Sequence, residues 1–299
     1  CAIAATVTSR QASSLAERAP LLRGIGCLVA AVCCFSVLDA TVKWLAQTYP
    51  VPMVAWARYA SNVLVLLALL GPRSGRRLWR TRAPALQWWR GVALGASTAF
   101  MIAGLARMPL AEASAIVFLT PVLVAAASGP LLGEPASRGT WLALVASFAG
   151  VLLIVRPGTA AFSWAALLPL GTAVCGAAYQ LLTRRLSGVD APTTTLFLAS
   201  AIGALMMSFA APFAWRWPLV EWWHLVPFVA SGAVGAAGHF LMIRAFDHAS
   251  PAVLAPFGYL QIVAVLLLGW TVFGEFPDAV ALAGMGLIVA TGMSMALRR

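Results

Sequence analysis

AEASAIVFLTPVLVAAASGPLLGEPASRGTWLALVASFAGVLLIV, residues 111–155, returns near the end of the chain as AVLAPFGYLQIVAVLLLGWTVFGEFPDAVALAGMGLIVATGMSMA, residues 252–296. Each copy is an apolar segment opened by small residues, a Gly-Glu step with proline close behind (Gly133-Glu134-Pro135; Gly274-Glu275-Phe276-Pro277), and a second apolar segment. At an offset of 141 residues Glu134 falls on Glu275 and Phe118 on Tyr259. An offset of 142 lays Ala31-Val32-Cys33 on Ala173-Val174-Cys175 and Lys43 on Arg185. A repeat of this length predicts two halves of similar build.

Composition fixes the solvent. Hydrophobic residues are 62% of the 299 and charged residues 10%, against roughly 25% charged in an average soluble domain. A soluble chain of this size could not hide so much apolar surface, so lipid is the expected surroundings. The net charge of +11 would suggest nucleic acid in a soluble protein. Here the basic residues cluster between apolar segments, which membrane orientation explains better, so no nucleic-acid partner is expected. The five cysteines have no Cys-x-x-Cys spacing, and four lie in apolar segments as small packing residues.

A bilayer core takes about 20 apolar residues per helix. Ten spans are predicted, at 22–46, 51–70, 88–105, 110–132, 139–155, 164–183, 192–213, 224–246, 251–273 and 277–297. Prolines and glycines mark most joints, among them Pro50, Gly71-Pro72, Pro109, Pro157-Gly158, Pro192, Pro251 and Pro277. Residues 1–21 are expected to be a mobile segment, with the repeats over 22–155 and 164–299. Cys1 stands where an initiator methionine would, which suggests a start inside a longer chain. No signal-peptide pattern is read, because the first apolar run is long enough to remain as a span.

Loop charge sets the expected orientation. One side collects Arg10, Arg18 and Arg23, then Arg73, Arg76, Arg77, Arg80, Arg82 and Arg90, then Arg138, Arg184, Arg185, Arg244, Arg298 and Arg299. The other side has Lys43, Arg107, Arg156 and Arg216. This bias places both termini in the cytoplasm of a bacterial inner membrane. Trp79, Trp88 and Trp89 then anchor one interface, and Trp215, Trp217, Trp222 and Trp223 the other. Five spans per half make the second half enter from the opposite side, so the repeats are expected to be inverted. The fold class is an all-α membrane protein of ten transmembrane helices. Spans 1–4 and 6–9 are expected around a cavity, with spans 5 and 10 outside it.

With ten spans in two halves, a lysine late in span 1, an arginine in span 2, and Pro121 followed by Gly133-Glu134 in and after span 4, the chain resembles the EamA type of the drug/metabolite transporter superfamily. The likeness covers nearly everything from residue 22 onward, and within the superfamily the bacterial aromatic amino acid exporters are the first group to compare. It implies export of amino acids or other small metabolites by alternating access. The second half departs from the pattern, since Gln261-Ile262 stands where the first has Pro121. Whether span 9 bends as span 4 does is left open.

Ionisable side chains inside spans cost about 2.5–3.5 kcal/mol at a helix centre, so each needs a reason. Asp39 and Lys43 are four apart and share a helix face, as a self-neutralising pair or as a gate. Arg58, beside Tyr59 in span 2, is positioned to bind a substrate carboxylate or to cap carbonyls of a broken helix. Glu134 and Glu275 occupy loops and are expected to brace the helices that follow. His239 in span 8 has Thr98 in span 3 as its repeat partner, both polar at mid-span. Tyr179 and Gln180 in span 6 and Tyr259 and Gln261 in span 9 are polar groups among alanine, glycine and leucine; Phe118 mirrors Tyr259. These residues are the substrate-binding candidates.

No His-Glu-x-x-His, metal-ligand cluster, phosphate loop or serine nucleophile with a base is present. Neither catalytic residues, metal nor cofactor is therefore expected. A phosphorylated cargo would call for several cations at the centre. With Arg58 and Lys43 alone available, a neutral or zwitterionic small-molecule substrate is favoured. The expected partners are that substrate and the bilayer, and the chain is compatible with a monomer.

Overall fold

The computed structural model describes residues 2–132, 138–156, 163–186, 188–214, 220–248 and 257–297. Eleven α-helices are described: α1 (Ala2–Thr48), α2 (Val51–Ser74), α3 (Pro84–Leu105), α4 (Leu110–Val117), α5 (Thr120–Leu132), α6 (Arg138–Val155), α7 (Leu167–Leu186), α8 (Pro192–Ala214), α9 (Leu225–His248), α10 (Leu260–Phe273) and α11 (Ala279–Leu297). Three short 3-10 turns accompany them, and no strand occurs among the described residues. The segment 1–21, expected to be mobile, is helical from Ala2 and continuous with α1. Glu134 lies outside the described residues.

Five segments are long and apolar enough to cross a bilayer: Leu22–Thr48, Val51–Pro72, Trp164–Leu186, Pro192–Phe209 and Trp222–Met242. Four further apolar stretches, Leu110–Val124, Val145–Val155, Leu260–Phe273 and Ala279–Thr291, are shorter, in part because two predicted spans are interrupted. In the fourth, Phe118 and Leu119 form a turn between α4 and α5. Pro121 has no N–H to offer the carbonyl of Val117, four residues back. The Thr120 hydroxyl takes that carbonyl instead, at 2.6 Å. In the ninth, the helix at 257–258 is interrupted at Tyr259, the repeat partner of Phe118, before α10 begins. No proline follows here; Gly258, a weak helix former, marks the position.

The outer surface is apolar. Leu142, Val145, Phe209 and Val226 are 68%, 67%, 70% and 69% exposed, a distribution that suits hydrocarbon. Inside the bundle, helices meet through small residues. A Cβ on Gly232 of α9 would fall 2.0 Å from Ser61 Oγ and 2.5 Å from Asn62 N of α2. Gly150 of α6 and Gly284 of α11 face each other, and a Cβ on either would strike the other's carbonyl oxygen, at 2.8 and 2.6 Å.

The pairing of helices alternates between halves. Helix α1 packs chiefly on α9 and α3 on α7, while α2 lies against α8 and α9 and α6 against α11. Contacts of α1 with α10 have a counterpart in those of α7 with α5. Arg90, grouped by sequence with the loop charges, belongs to α3 and is 2% exposed. It is therefore removed from the loop-charge bias.

Candidate functional site

The interrupted helices surround a cavity of about 280 Å³. Its walls take residues from α1, α2, α3, α4, α5, α7, α9 and α10. None comes from α6 or α11, nor from α8, which was expected to contribute. Helix α8 instead stands behind α2: Tyr59 packs where a Cβ on Gly203 would sit 2.6 Å away, and the Trp56 indole donates to Ser208 Oγ at 2.8 Å.

Eight of the predicted residues line this one space: Asp39, Arg58, Thr98, Phe118, Tyr179, Gln180, His239 and Gln261. Arg58 donates from Nη1 to Thr98 Oγ1 at 3.3 Å and has no bond to the carbonyls of the helix breaks. Thr98 also meets the Tyr59 hydroxyl at 2.7 Å, and that hydroxyl reaches Leu94 O at 3.1 Å. Tyr59 is 3% exposed and supports the wall from behind. Asp39 accepts a long contact from Gln261 Nε2 at 3.5 Å. Asp39 and Arg58 are the carboxylate and the guanidinium of the lining, which is otherwise built from apolar, aromatic and hydroxyl side chains, His239 and the amides of Gln180 and Gln261. His239 stands edge-on to Phe35, ring centroids 5.0 Å apart, and its Nδ1 is buried with no hydrogen-bond partner.

Phe118 and Tyr259 stack on one another, centroids 5.2 Å apart and planes 29° from parallel. The two helix breaks therefore meet through their repeat-related aromatic rings. Phe118 lines the cavity, while Tyr259, 7% exposed, backs it.

Lys43 is not part of this cavity, and the Asp39–Lys43 pair is not formed. Lys43 Nζ lies 2.8 Å from Glu275 Oε1, donates to Met108 O at 2.6 Å and sits 5.2 Å over the Phe273 ring. The second Glu275 oxygen accepts the Leu110 N–H at 3.0 Å, capping the exposed start of α4. Gly274 makes this possible: at φ 68° it ends α10 in a left-handed turn, with the Glu275 N–H returned to Gly269 O at 2.9 Å. Glu275 thus braces a helix of the first half, not the one that follows it. Asp278 takes that role, receiving the Ala281 N–H at 2.9 Å.

The opposite end is closed by different groups. Asp190, in the turn before α8, accepts from Thr81 Oγ1 at 2.5 Å, Arg82 N at 3.0 Å and Gln87 Nε2 at 2.8 Å. Burial would raise the Asp190 carboxyl, but these hydrogen bonds and the Arg82 charge outweigh it and hold the group below the ordinary aspartate value. Deeper in, Arg90 donates to Thr183 Oγ1 at 2.7 Å, Thr195 O at 2.8 Å and the Tyr179 hydroxyl at 2.8 Å. Its guanidinium lies 4.6 Å over the Tyr179 ring, fixing a cavity-wall side chain.

Sequence reasoning named Thr98 and Tyr179 but passed over the wall hydroxyls of Ser97, Ser114, Thr120 and Thr172. Ser97 Oγ donates to Thr172 O at 3.2 Å and Thr172 Oγ1 to Ser97 O at 3.3 Å, pinning α3 to α7. Ser114 Oγ, on α4, is buried without a partner. One signal was available: Thr172, Gly176, Tyr179 and Thr183 follow one another at three- and four-residue steps along one helix face. Among the described residues no three His, Cys, Asp or Glu side chains gather closely enough to hold a metal ion.

Comparison with known proteins adds a family to this geometry. A profile of the EamA-like transporter family matches residues 22–156 and again 163–296. A riboflavin transporter of Rhizobium johnstonii is 29% identical over 95% of this chain and 94% of its own length. The pseudopaline exporter CntI of Pseudomonas aeruginosa is 31% identical over 92% and 96%. An S-adenosylmethionine uptake transporter of Rickettsia bellii is 24% identical over 89% and 90%. A chain of known crystal structure shares the fold, with a TM-score of 0.61 at 19% identity, over 91% of this chain and 97% of that one.

Proposed function

Because the chain belongs to the EamA-like transporter family, a multi-pass membrane family whose relatives here carry small metabolites, we propose that it is a secondary transporter for neutral amino acids. Large apolar and aromatic ones are included, and they are exported across the bacterial inner membrane by alternating access. The observation that carries this reading is the cavity wall, where one carboxylate and one guanidinium face a space otherwise lined by uncharged groups: apolar and aromatic side chains, hydroxyls, two amides and His239. A zwitterion matches that pair: its ammonium is drawn to Asp39 and its carboxylate to Arg58. Phe118, backed by Tyr259, offers a ring to an apolar side chain. Tyr179, Gln180, Thr98, His239 and Gln261 supply hydrogen bonds. The volume of about 280 Å³ lies just below the range of about 300–1,000 Å³ usual for ligand pockets, which favours a cargo of amino acid size. A transport role leaves no place for catalytic residues.

The halves act in this reading as inverted repeats about an axis in the membrane plane. Support comes from the exchange of partners between halves, with α1 on α9 answered by α7 on α3. In this reading the Asp190 end and both termini lie in the cytoplasm and the Lys43 end outside, an orientation that the loop-charge bias supports.

Proteoliposomes test the cargo. Labelled phenylalanine, tryptophan and leucine should enter in a saturable, counter-substrate-dependent way, with riboflavin and S-adenosylmethionine run alongside. Movement of those two with no amino acid flux above empty liposomes would reject amino acids as cargo. Phe118→Ala and His239→Ala should each lower flux by about tenfold, the loss of one good contact, and Tyr259→Ala, which also empties a buried site behind the wall, should lower both flux and thermal stability. Normal flux in all three would sink the site assignment.

A further inference from the structure

We propose that residues 76–89 form a docking surface for the headgroups of anionic phospholipids. The charge of this segment is held in no ion pair among the described residues. Arg76, Arg77, Arg80 and Arg82 are all exposed. The nearby acid, Asp190, spends its oxygens on the Thr81 hydroxyl, the Arg82 backbone N–H and the Gln87 amide. Arg76, Arg77 and Arg80 are left to the surroundings, and Arg82, whose charge acts on Asp190, keeps an exposed guanidinium outside any ion pair among the described residues. Beside them stand three exposed indoles, Trp79 at 59%, Trp88 at 47% and Trp89 at 62%. Arginine with tryptophan at one level suits the boundary between headgroups and acyl chains, where the ring is half in hydrocarbon and the guanidinium meets phosphate.

The segment is held in place, which separates it from a loose basic loop. The 3-10 turn Gly75–Trp79 plants Leu78, 1% exposed, in a small core with Leu66, Leu196 and Phe197. The Trp79 ring stands edge-on to Phe197 at 4.7 Å. Thr194 Oγ1 donates to Arg77 O at 3.1 Å, and the Arg80 N–H returns to the same carbonyl at 3.3 Å. Backbone and apolar anchors are thus used up inside, and the charged ends project as a fixed set. A preformed array loses little freedom on binding, which favours retention of individual lipids over a diffuse attraction.

The inference is independent of the cargo. Its test uses the full chain released from micelles of equal phosphatidylglycerol and phosphatidylcholine, with retained lipids counted by native mass spectrometry. Each basic group near an anionic surface favours it by about fivefold, so the anionic lipid should be enriched by at least about threefold, less at high salt because the charges are screened. Retention of the two lipids in their bulk ratio overturns the proposal, whatever any variant does. The combined variant Arg76→Gln, Arg77→Gln, Arg80→Gln, Arg82→Gln alters exposed side chains alone and should lose the enrichment at unchanged melting temperature. Enrichment that persists in it places the lipid elsewhere. Displacement of the lipid by free inorganic phosphate would reveal a soluble-anion site and reject the lipid.

Discussion

At the Lys43 end of the cavity two opposite charges meet across the halves of the chain. At the Asp190 end the charged groups, Asp190 and Arg90, are each held by neutral partners instead of by one another. Both ends join helices from different halves, yet they should fail differently. A buried ion pair concentrates its free energy in two side chains, and losing one leaves the other charged and stranded. A ring of hydrogen bonds spreads the same task over several groups, and each loss is partial.

The largest expected effect is at Lys43. Lys43→Met should cost about 2–4 kcal/mol of stability, toward the lower part of the range for one-sided loss of a buried pair because Glu275 is partly solvated. A thermal melt in detergent would register it. The double variant Lys43→Met, Glu275→Gln should recover much of that loss, and strict additivity would show that the pair is not coupled. Next comes Arg90→Met, which removes three hydrogen bonds at once. It should cost about 1–3 kcal/mol and lower flux more than Tyr179→Phe does; equal flux would mean that the guanidinium does not set the ring. Smaller still is Asp190. Its folded carboxyl binds a proton less readily than the unfolded one. Its contribution is therefore complete above the ordinary value near pH 4 and fades as the pH falls through the lower folded value. Asp190→Asn should abolish that acid-side loss, and a pH-melt profile identical to wild type would contradict the shift. The smallest belongs to the exposed pair of Arg156 and Asp278. Arg156→Gln should leave the melting temperature unchanged at physiological salt, and a clear drop would make that pair resemble the Lys43 end.

Much of the architecture was legible because it is periodic or punctuated. Apolar runs and proline joints fall close to the helix bounds, and Pro121 announced the interruption near Phe118. The second interruption was harder to read, since Ile262 stands where a proline would have signalled it. The repeat alignment put Phe118 and Tyr259 in register but could not say that the rings touch, because stacking depends on how the halves dock. Lys43 was misread for a related reason: Asp39 lies one turn away, and local spacing hides a partner that arrives from the far end of the chain. Arg90 was counted with the loop charges although the predicted span at 88–105 includes it, because its partners Thr183, Thr195 and Tyr179 come from the other half and leave no local mark in the sequence.

The alternation of helix partners has a consequence for biosynthesis. Helices α1, α2, α3 and α6 each pack chiefly on a helix of the second half. When the ribosome has delivered residues up to about 160, Lys43 has no Glu275 and Arg90 has neither Thr183 nor Thr195. The early half must wait in the lipid with its polar groups provisionally satisfied until the later half is threaded past it. The two family matches therefore mark a duplication in the gene without marking two units that could mature alone, and the last described helix, α11, packs on α6 through Gly284 and Gly150.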